Sequence, residues 1–252
     1  MINTALNYEA LSIAMTSLFK QVSLNIMHAY ETDFTTQYKD DNTPVTQADI
    51  NGEKEITQAL KTITPDIAVI GEETYNAKTH QTYGRFWLLD PIDGTRAFVA
   101  KNNIFTINAG LIENGKAIFG IVYSPLTDEM YIGSPLGAFK NGKKISVRSI
   151  PDTGAVIAMS FIPTKPSPLK EFLDTYIIDT YLELTSSIKI CRIAEGQADL
   201  YPRFGPTSEW DTAAAHAVLH YAGGTIHTMD GNNIVYGKDE IENPHFICKG
   251  LE

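Results

Sequence analysis

Between Asn7 and about Tyr30 the apolar residues Leu11, Ala14, Met15, Leu18, Val22 and Ile26 recur at steps of three and four. That period follows one face of an α-helix and predicts an amphipathic helix near the start of the chain. From Glu31 to Thr46 the pattern turns polar, around Lys39-Asp40-Asp41-Asn42-Thr43-Pro44, and reads as an exposed loop. A second helix is predicted from Ala48 to about Thr62, with Thr46 as its N-cap and Asp49 in its first turn, where a negative charge suits the helix dipole.

Strands are predicted at Ile67 to Ile70 and at Arg85 to Leu89, the latter running into Asp90-Pro91. Two apolar runs between Ile104 and Tyr123 flank Glu113-Asn114-Gly115, and Asn-Gly at such a position signals a hairpin. Further strands at Glu129 to Ile132, Ala138 to Phe139 and Ile145 to Val147 give residues 1–150 a substantial antiparallel sheet. Beyond a boundary near Pro151 the style changes. A strand at Val156 to Ser160, a helix at Leu169 to Asp174, a segment at Ile188 to Ala194 and a helix at Asp211 to Ala222 alternate as in an α/β unit. The expected division is therefore residues 1–150 and residues 151–252, packed together.

Composition narrows the function classes. At 252 residues and 43% hydrophobic the chain is globular. Its formal net charge of −10 argues against sequence-independent binding to nucleic acid, which needs clustered Lys and Arg. An anionic small substrate would need bound cations or a few well-placed basic side chains. No run of about eighteen apolar residues and no secretory leader pattern is present. A cytoplasmic protein without an integral membrane segment is expected, a peripheral place at the inner membrane face being left open. Cys191 and Cys248 stand far apart without a metal-binding or disulfide pattern, and read as ordinary buried thiols.

The chemistry is carried by Phe86-Trp87-Leu88-Leu89-Asp90-Pro91-Ile92-Asp93-Gly94-Thr95-Arg96-Ala97-Phe98. Pro91 holds Asp90 extended at the strand end, and Gly94 permits a tight turn into a short helix whose free amides suit a phosphate. Two carboxylates in one turn repel by roughly 4 kcal/mol at about 4 Å and an effective dielectric near 20. A divalent cation would offset that, and hard oxygen donors suit Mg²⁺. The plainer alternative is a strand-to-helix turn in which the aspartates only cap the helix. Two more acidic sites weigh against it: Gly71-Glu72-Glu73 after an apolar strand, and Trp210-Asp211-Thr212-Ala213-Ala214-Ala215 at the mouth of a helix whose small residues allow close approach.

Taken in order, Gly-Glu-Glu, Asp-Pro-Ile-Asp-Gly-Thr and Trp-Asp-x-Ala-Ala resemble the inositol monophosphatase superfamily of metal-dependent, lithium-sensitive phosphatases. Four stretches resemble its CysQ-type 3′(2′),5′-bisphosphate nucleotidase branch: Asp41 to Asp49, Thr95 to Phe98, Ser186 to Lys189, and Ala198 to Thr207. The resemblance implies an αβαβα layered sandwich of the inositol monophosphatase and fructose-1,6-bisphosphatase type. It implies that Glu72, Asp90 and the carbonyl of Ile92 hold one Mg²⁺, that Asp90, Asp93 and Asp211 hold a second, and that a third, weaker ion sits near Glu72. Thr95 and Asp49 would orient the attacking water and take its proton, with Glu73 a supporting acid. The amides of Gly94 and Thr95 would bind phosphate, and Ser186, Ser187, Lys189 and Arg203 would meet the second phosphate or ribose. Glu72, Ile92, Asp93 and Asp211 would also border the substrate.

The reaction so implied is in-line attack of a metal-activated water on the 3′(2′)-phosphate of adenosine 3′,5′-bisphosphate, or of its 5′-phosphosulfate analogue. Inositol monophosphatase activity on the same scaffold is the nearest alternative. Asp-x-Asp phosphatases of the haloacid dehalogenase type place their acids two apart, whereas Asp90 and Asp93 are three apart. A non-catalytic nucleotide-binding protein would have no need of both Asp49 and Thr95. Gly110 to Ala117 nearly matches a Walker A loop but lies in the expected hairpin, and His216 and His220 lack the Glu of H-E-x-x-H. Homodimerisation is left open.

Overall fold

Asn7 ends the first helix on its N-terminal side by accepting the amide of Ala10 with its side chain, and α1 runs from Tyr8–Glu31. Residues 6–32, 36–38, 44–77, 84–101 and 104–251 are described by the computed structural model of the chain. Where the polar stretch before the second helix predicts a loop, its described part is a two-stranded antiparallel ribbon, β1 (Thr36–Tyr38) on β2 (Pro44–Thr46). Three-residue strands are too short to display a period, which is why the pattern hides them. Residues 39–43 of that stretch, and with them the start of the Asp41 to Asp49 motif, lie outside the described residues. The second helix, α2 (Gln47–Ile63), begins with a capping box in which Thr46 and Asp49 satisfy each other's first-turn donors.

A seven-stranded sheet follows: β3 (Ala68–Gly71), β4 (Arg85–Asp93), β5 (Thr106–Glu113), β6 (Lys116–Ser124), β7 (Glu129–Ser134), β8 (Gly137–Lys140) and β9 (Lys143–Lys144), in that spatial order. The short helix α3 (Thr95–Ala100) interrupts it after β4. Only β3 and β4 are parallel within this sheet. The β5–β6 turn uses Asn114 and Gly115 at φ 49° and 78°, the left-handed pair that a two-residue hairpin requires. The strand expected at Ile145 to Val147 is absent; β9 sits two residues earlier, and Val147 instead donates its amide to Ala222. Ile145 still bonds β8, its amide donating to Ala138 O at 2.9 Å, but at Val147 the chain has turned away toward Ala222, so the alternating apolar residues are packing positions that do not extend the strand.

A second, five-stranded sheet has the order β11–β10–β12–β14–β13. Its strands are β10 (Ala155–Met159), β11 (Ile178–Glu183), β12 (Leu200–Arg203), β13 (Thr225–Thr228) and β14 (Phe246–Lys249), with β10, β11 and β12 parallel. Helices α4 (Pro168–Leu173), α5 (Ile188–Ala194) and α6 (Glu209–Tyr221) complete the chain.

Side-chain alternation along β4 sorts the layers. Trp87 and Leu89 pack with α1 and α2 residues such as Phe19 and Leu60, while Phe86 and Leu88 join a core with α5, α6 and the second sheet. A third cluster seats α4 residues Leu169 and Leu173 on Ile157 and Leu200. The order of layers is helices, sheet, helices, sheet, helix, the αβαβα sandwich expected.

The central helix comes unusually close to the first sheet. Gly110, Gly120 and Gly133 stand in register across β5, β6 and β7. A Cβ on any of them would overlap α6 at Ala213, Ala214 or Ala217. Glycines facing alanines therefore set the spacing that carries Asp211, in the first turn of α6, toward the end of β4.

Candidate active site

The end of β4 is bulged. Asp90 pairs with Asn108 and Asp93 with Thr106, so Pro91 and Ile92 oppose a single residue of β5. A bulge at this place removes the need for a ladder amide from proline and turns both aspartates toward the same cavity. Asp90 Oδ1 accepts the amide of Ile92 at 3.0 Å. Parallel pairing with β3 brings in the third acid, because the amide of Glu72 bonds Leu89 O at 3.1 Å. At the fourth corner, Asp211 Oδ2 accepts the amide of Ser208 at 2.7 Å.

Carboxylate oxygens of Glu72, Asp90 and Asp211 lie within 4.8 Å of one another. Burial pushes the Asp90 carboxyl well above its ordinary value, and the negative charges of Glu72, Asp93 and Asp211 add to that. Burial does the same to Asp211, followed by the charges of Asp93 and Glu72. Three hard oxygen donors from three segments, costly to ionise together, fit a divalent cation.

Asp93 stands apart from this trio. Its Oδ2 accepts the amide of Ser187 at 2.5 Å, the Ser187 hydroxyl at 2.7 Å and Asn108 Nδ2 at 3.2 Å. Ser187 is brought there by Ser186, which holds φ at 56°, a conformation that costs a non-glycine residue on the order of 1 kcal/mol or more and clusters at functional sites. The Ser187 hydroxyl also lies 2.6 Å from Asp211 O, so it ties two acidic segments together and is only 4% exposed.

Asp49 is buried behind the wall, with Oδ2 held by the Thr46 amide and hydroxyl at 2.8 and 2.6 Å. Its Oδ1 faces Thr95 Oγ1 at 3.3 Å, and that hydroxyl is also 3.0 Å from Ile92 O. Burial raises the Asp49 carboxyl above its ordinary value, opposed by the Thr46 hydrogen bonds.

A cavity of about 860 Å³ opens over these groups. Glu72, Asp90, Ile92, Asp93, Gly94, Thr95, Ser186, Ser187, Lys189, Arg203 and Asp211 all line it. Asp49 is not among the lining residues and faces the cavity wall through Thr95. Lys189 is 4% exposed, its ammonium 5.2 Å from the Tyr201 ring centroid. Burial pushes it down to about 8, with the charge of Asp93 opposing. Arg203 is braced by Gly205 O and Pro206 O at 3.2 and 2.9 Å.

The other sequence features find structural uses. Lys116 of the near-Walker stretch belongs to a β-hairpin, His216 Nδ1 meets the Tyr236 hydroxyl at 2.8 Å, and both cysteines are buried free thiols. No described helix is long and apolar enough to cross a membrane. Sequence reasoning missed Asn108 and Glu53. Each had a signal: a polar residue inside an apolar run on β5, and an acid on the α2 stripe that continues with Ile56 and Leu60.

The profile of the inositol monophosphatase family matches residues 7–249. The 3′(2′),5′-bisphosphate nucleotidase CysQ of Salmonella typhimurium (strain LT2) is 41% identical over 229 residues, 88% of this chain and 92% of that protein. The protein of that name in Escherichia coli (strain K12) is 42% identical over 214 residues, 82% of this chain and 86% of its own. Among solved structures, CysQ from Bacteroides thetaiotaomicron, described as a bacterial member of the inositol monophosphatase family, superposes with a TM-score of 0.80 at 26% identity. It covers 98% of this chain and 100% of that one. By its profile, its relatives and its layered fold, this chain belongs to the inositol monophosphatase family.

Proposed function

We propose that the protein is a divalent-cation-dependent 3′(2′),5′-bisphosphate nucleotidase that removes the 3′(2′)-phosphate of adenosine 3′,5′-bisphosphate or its phosphosulfate analogue. The observation that carries this reading is the pairing, in one cavity, of the acid trio with Lys189, a buried ammonium that no protein acceptor binds among the described residues. A buried ammonium without a hydrogen-bond acceptor is costly even over the Tyr201 ring, and an anion in the cavity compensates it. A cation held by the acids neutralises one phosphate; a bisphosphate brings a second, for which Lys189 and Arg203 are the complement. The CysQ relatives are named for that substrate class.

Mg²⁺ is the cation we assign to Glu72, Asp90, Asp211 and the carbonyl of Ile92, with Asp93 as a further ligand, and Li⁺ as an inhibitor. Bound there, divalent cations supply charge neutralisation for phosphate oxygens and a lowered pKa for water. The protein's own residues do the rest. Thr95 Oγ1, between Asp49 Oδ1 and Ile92 O, orients the attacking water and relays its proton to the buried Asp49 carboxylate. The amides of Gly94 and Thr95, at the start of α3 and on the cavity wall, receive phosphate oxygens. Ser186 borders the ribose, while Ser187 holds Asp93 in place.

Comparing phosphate release from adenosine 3′,5′-bisphosphate and from inositol 1-phosphate, with and without Mg²⁺, tests the reading. Preference for the nucleotide by about tenfold or more, which is about 1.4 kcal/mol, is expected. Equal or better use of the inositol ester would overturn the nucleotidase assignment while leaving the family intact.

A further inference from the structure

Glu53 lies on α2 one turn beyond Asp49, is 2% exposed, and takes no part in lining the cavity. Its Oε2 accepts the backbone amide of Glu73 at 2.7 Å. Its Oε1 has no hydrogen-bond partner among the described residues. The carboxyl group sits so close on Gly71 that a Cβ built there would overlap it.

An interior carboxyl with one oxygen unmatched is a poor packing choice, since an apolar side chain would fill the same stripe without the desolvation cost. What only a group of this shape and reach provides is the bond across Gly71 to the Glu73 amide. That bond spans the turn whose middle residue is Glu72, the acid that β3 delivers to Asp90. The absence of a side chain at Gly71 is what lets the carboxyl group come near enough to make it.

We infer that Glu53 is a positioning residue: it clamps the Gly71–Glu73 turn from beneath and so fixes the aim of Glu72 into the acid cluster. The inference rests on the reading of Glu72, Asp90 and Asp211 as cation ligands. Loss of the clamp frees the turn, and cation affinity falls before the fold does.

Mn²⁺ binding to the substrate-free protein, followed by electron paramagnetic resonance, reads this directly. Glu53→Gln keeps an oxygen at the same reach and is expected to bind Mn²⁺ within about threefold of the parent. Glu53→Asp keeps the carboxyl group but falls a methylene short, and is expected to bind about tenfold or more weakly, the range seen when supporting partners of metal ligands are lost. Gly71→Ala, which drives the same groups apart while retaining Glu53, should repeat that loss and carries the test if Glu53→Asp does not fold. Unchanged affinity in Glu53→Asp and Gly71→Ala, or a greater loss in Glu53→Gln than in Glu53→Asp, would overturn the clamp. Asp90→Asn is the control: if it leaves Mn²⁺ binding at the parent level, the cation site itself is misassigned and the clamp falls with it.

Discussion

Ser187 binds Asp93 twice, through its amide at 2.5 Å and its hydroxyl at 2.7 Å, both on the same carboxylate oxygen. The serine that resemblance placed against substrate is thereby engaged in fixing an acid, and the other oxygen of Asp93 is left for the cavity. Ser187→Ala should lower turnover about 10- to 100-fold and raise the Mg²⁺ requirement, to the same extent on a bisphosphate and on a simple monophosphate. A rise in KM confined to the nucleotide would return Ser187 to the substrate. Asp93→Asn should abolish turnover at ordinary Mg²⁺ with the circular dichroism spectrum unchanged; full activity would show that this acid is no ligand.

Lys189→Met should cost the bisphosphate far more than a monophosphate in kcat/KM, because only the former brings a second anionic group. The same change removes a buried charge and should stabilise the empty protein. Burial lowers Lys189 to about 8 from an ordinary 10.5, so between those values the unfolded chain holds the proton more firmly than the folded one. Parent stability, measured against Lys189→Met, should therefore rise with pH across that window. A flat difference would mean that the ammonium is solvated.

How much of this was open to inspection before folding depends on how local the cause is. The α1 and α2 boundaries, the Asn114-Gly115 hairpin and the β4 turn follow from caps, φ preferences and a proline, all readable within a few residues. Pro202 within β12 and the short polar β13 mask strands that exist because β14 pairs with both. Glu53 and Ser187 act across 20 and 94 positions of sequence, and the left-handed Ser186 that aims Ser187 leaves no mark on its neighbours. The acids were legible as chemistry; their alignment was not.

Protons and cations compete for the trio. In metal-free protein the raised carboxyls of Asp90 and Asp211 keep protons that the unfolded chain has lost. Their contribution to stability is present below the ordinary carboxylate range and disappears as pH rises through the raised values. Mg²⁺ replaces those protons, so its stabilising shift in melting temperature should be larger at pH 7.5 than at pH 5.5. Equal shifts at both would contradict coupling between the acids and the cation.

Gly120→Ala tests the spacing of α6. The added Cβ meets the Ala214 carbonyl group and, at 2.9 Å, Ala217 Cβ. A loss of about 1–3 kcal/mol from overpacking is expected, together with weaker Mg²⁺ activation because Asp211 moves with the helix. Destabilisation with an unaltered Mg²⁺ requirement would show that the helix can shift without disturbing the acids.

Most direct of all is anomalous diffraction from crystals soaked in Mn²⁺. Peaks bounded by the carboxylates of Glu72, Asp90 and Asp211 are the predicted result, with at least one lost in Asp90→Asn. Mn²⁺ bound elsewhere, with these three side chains turned away from a common centre, would contradict the account.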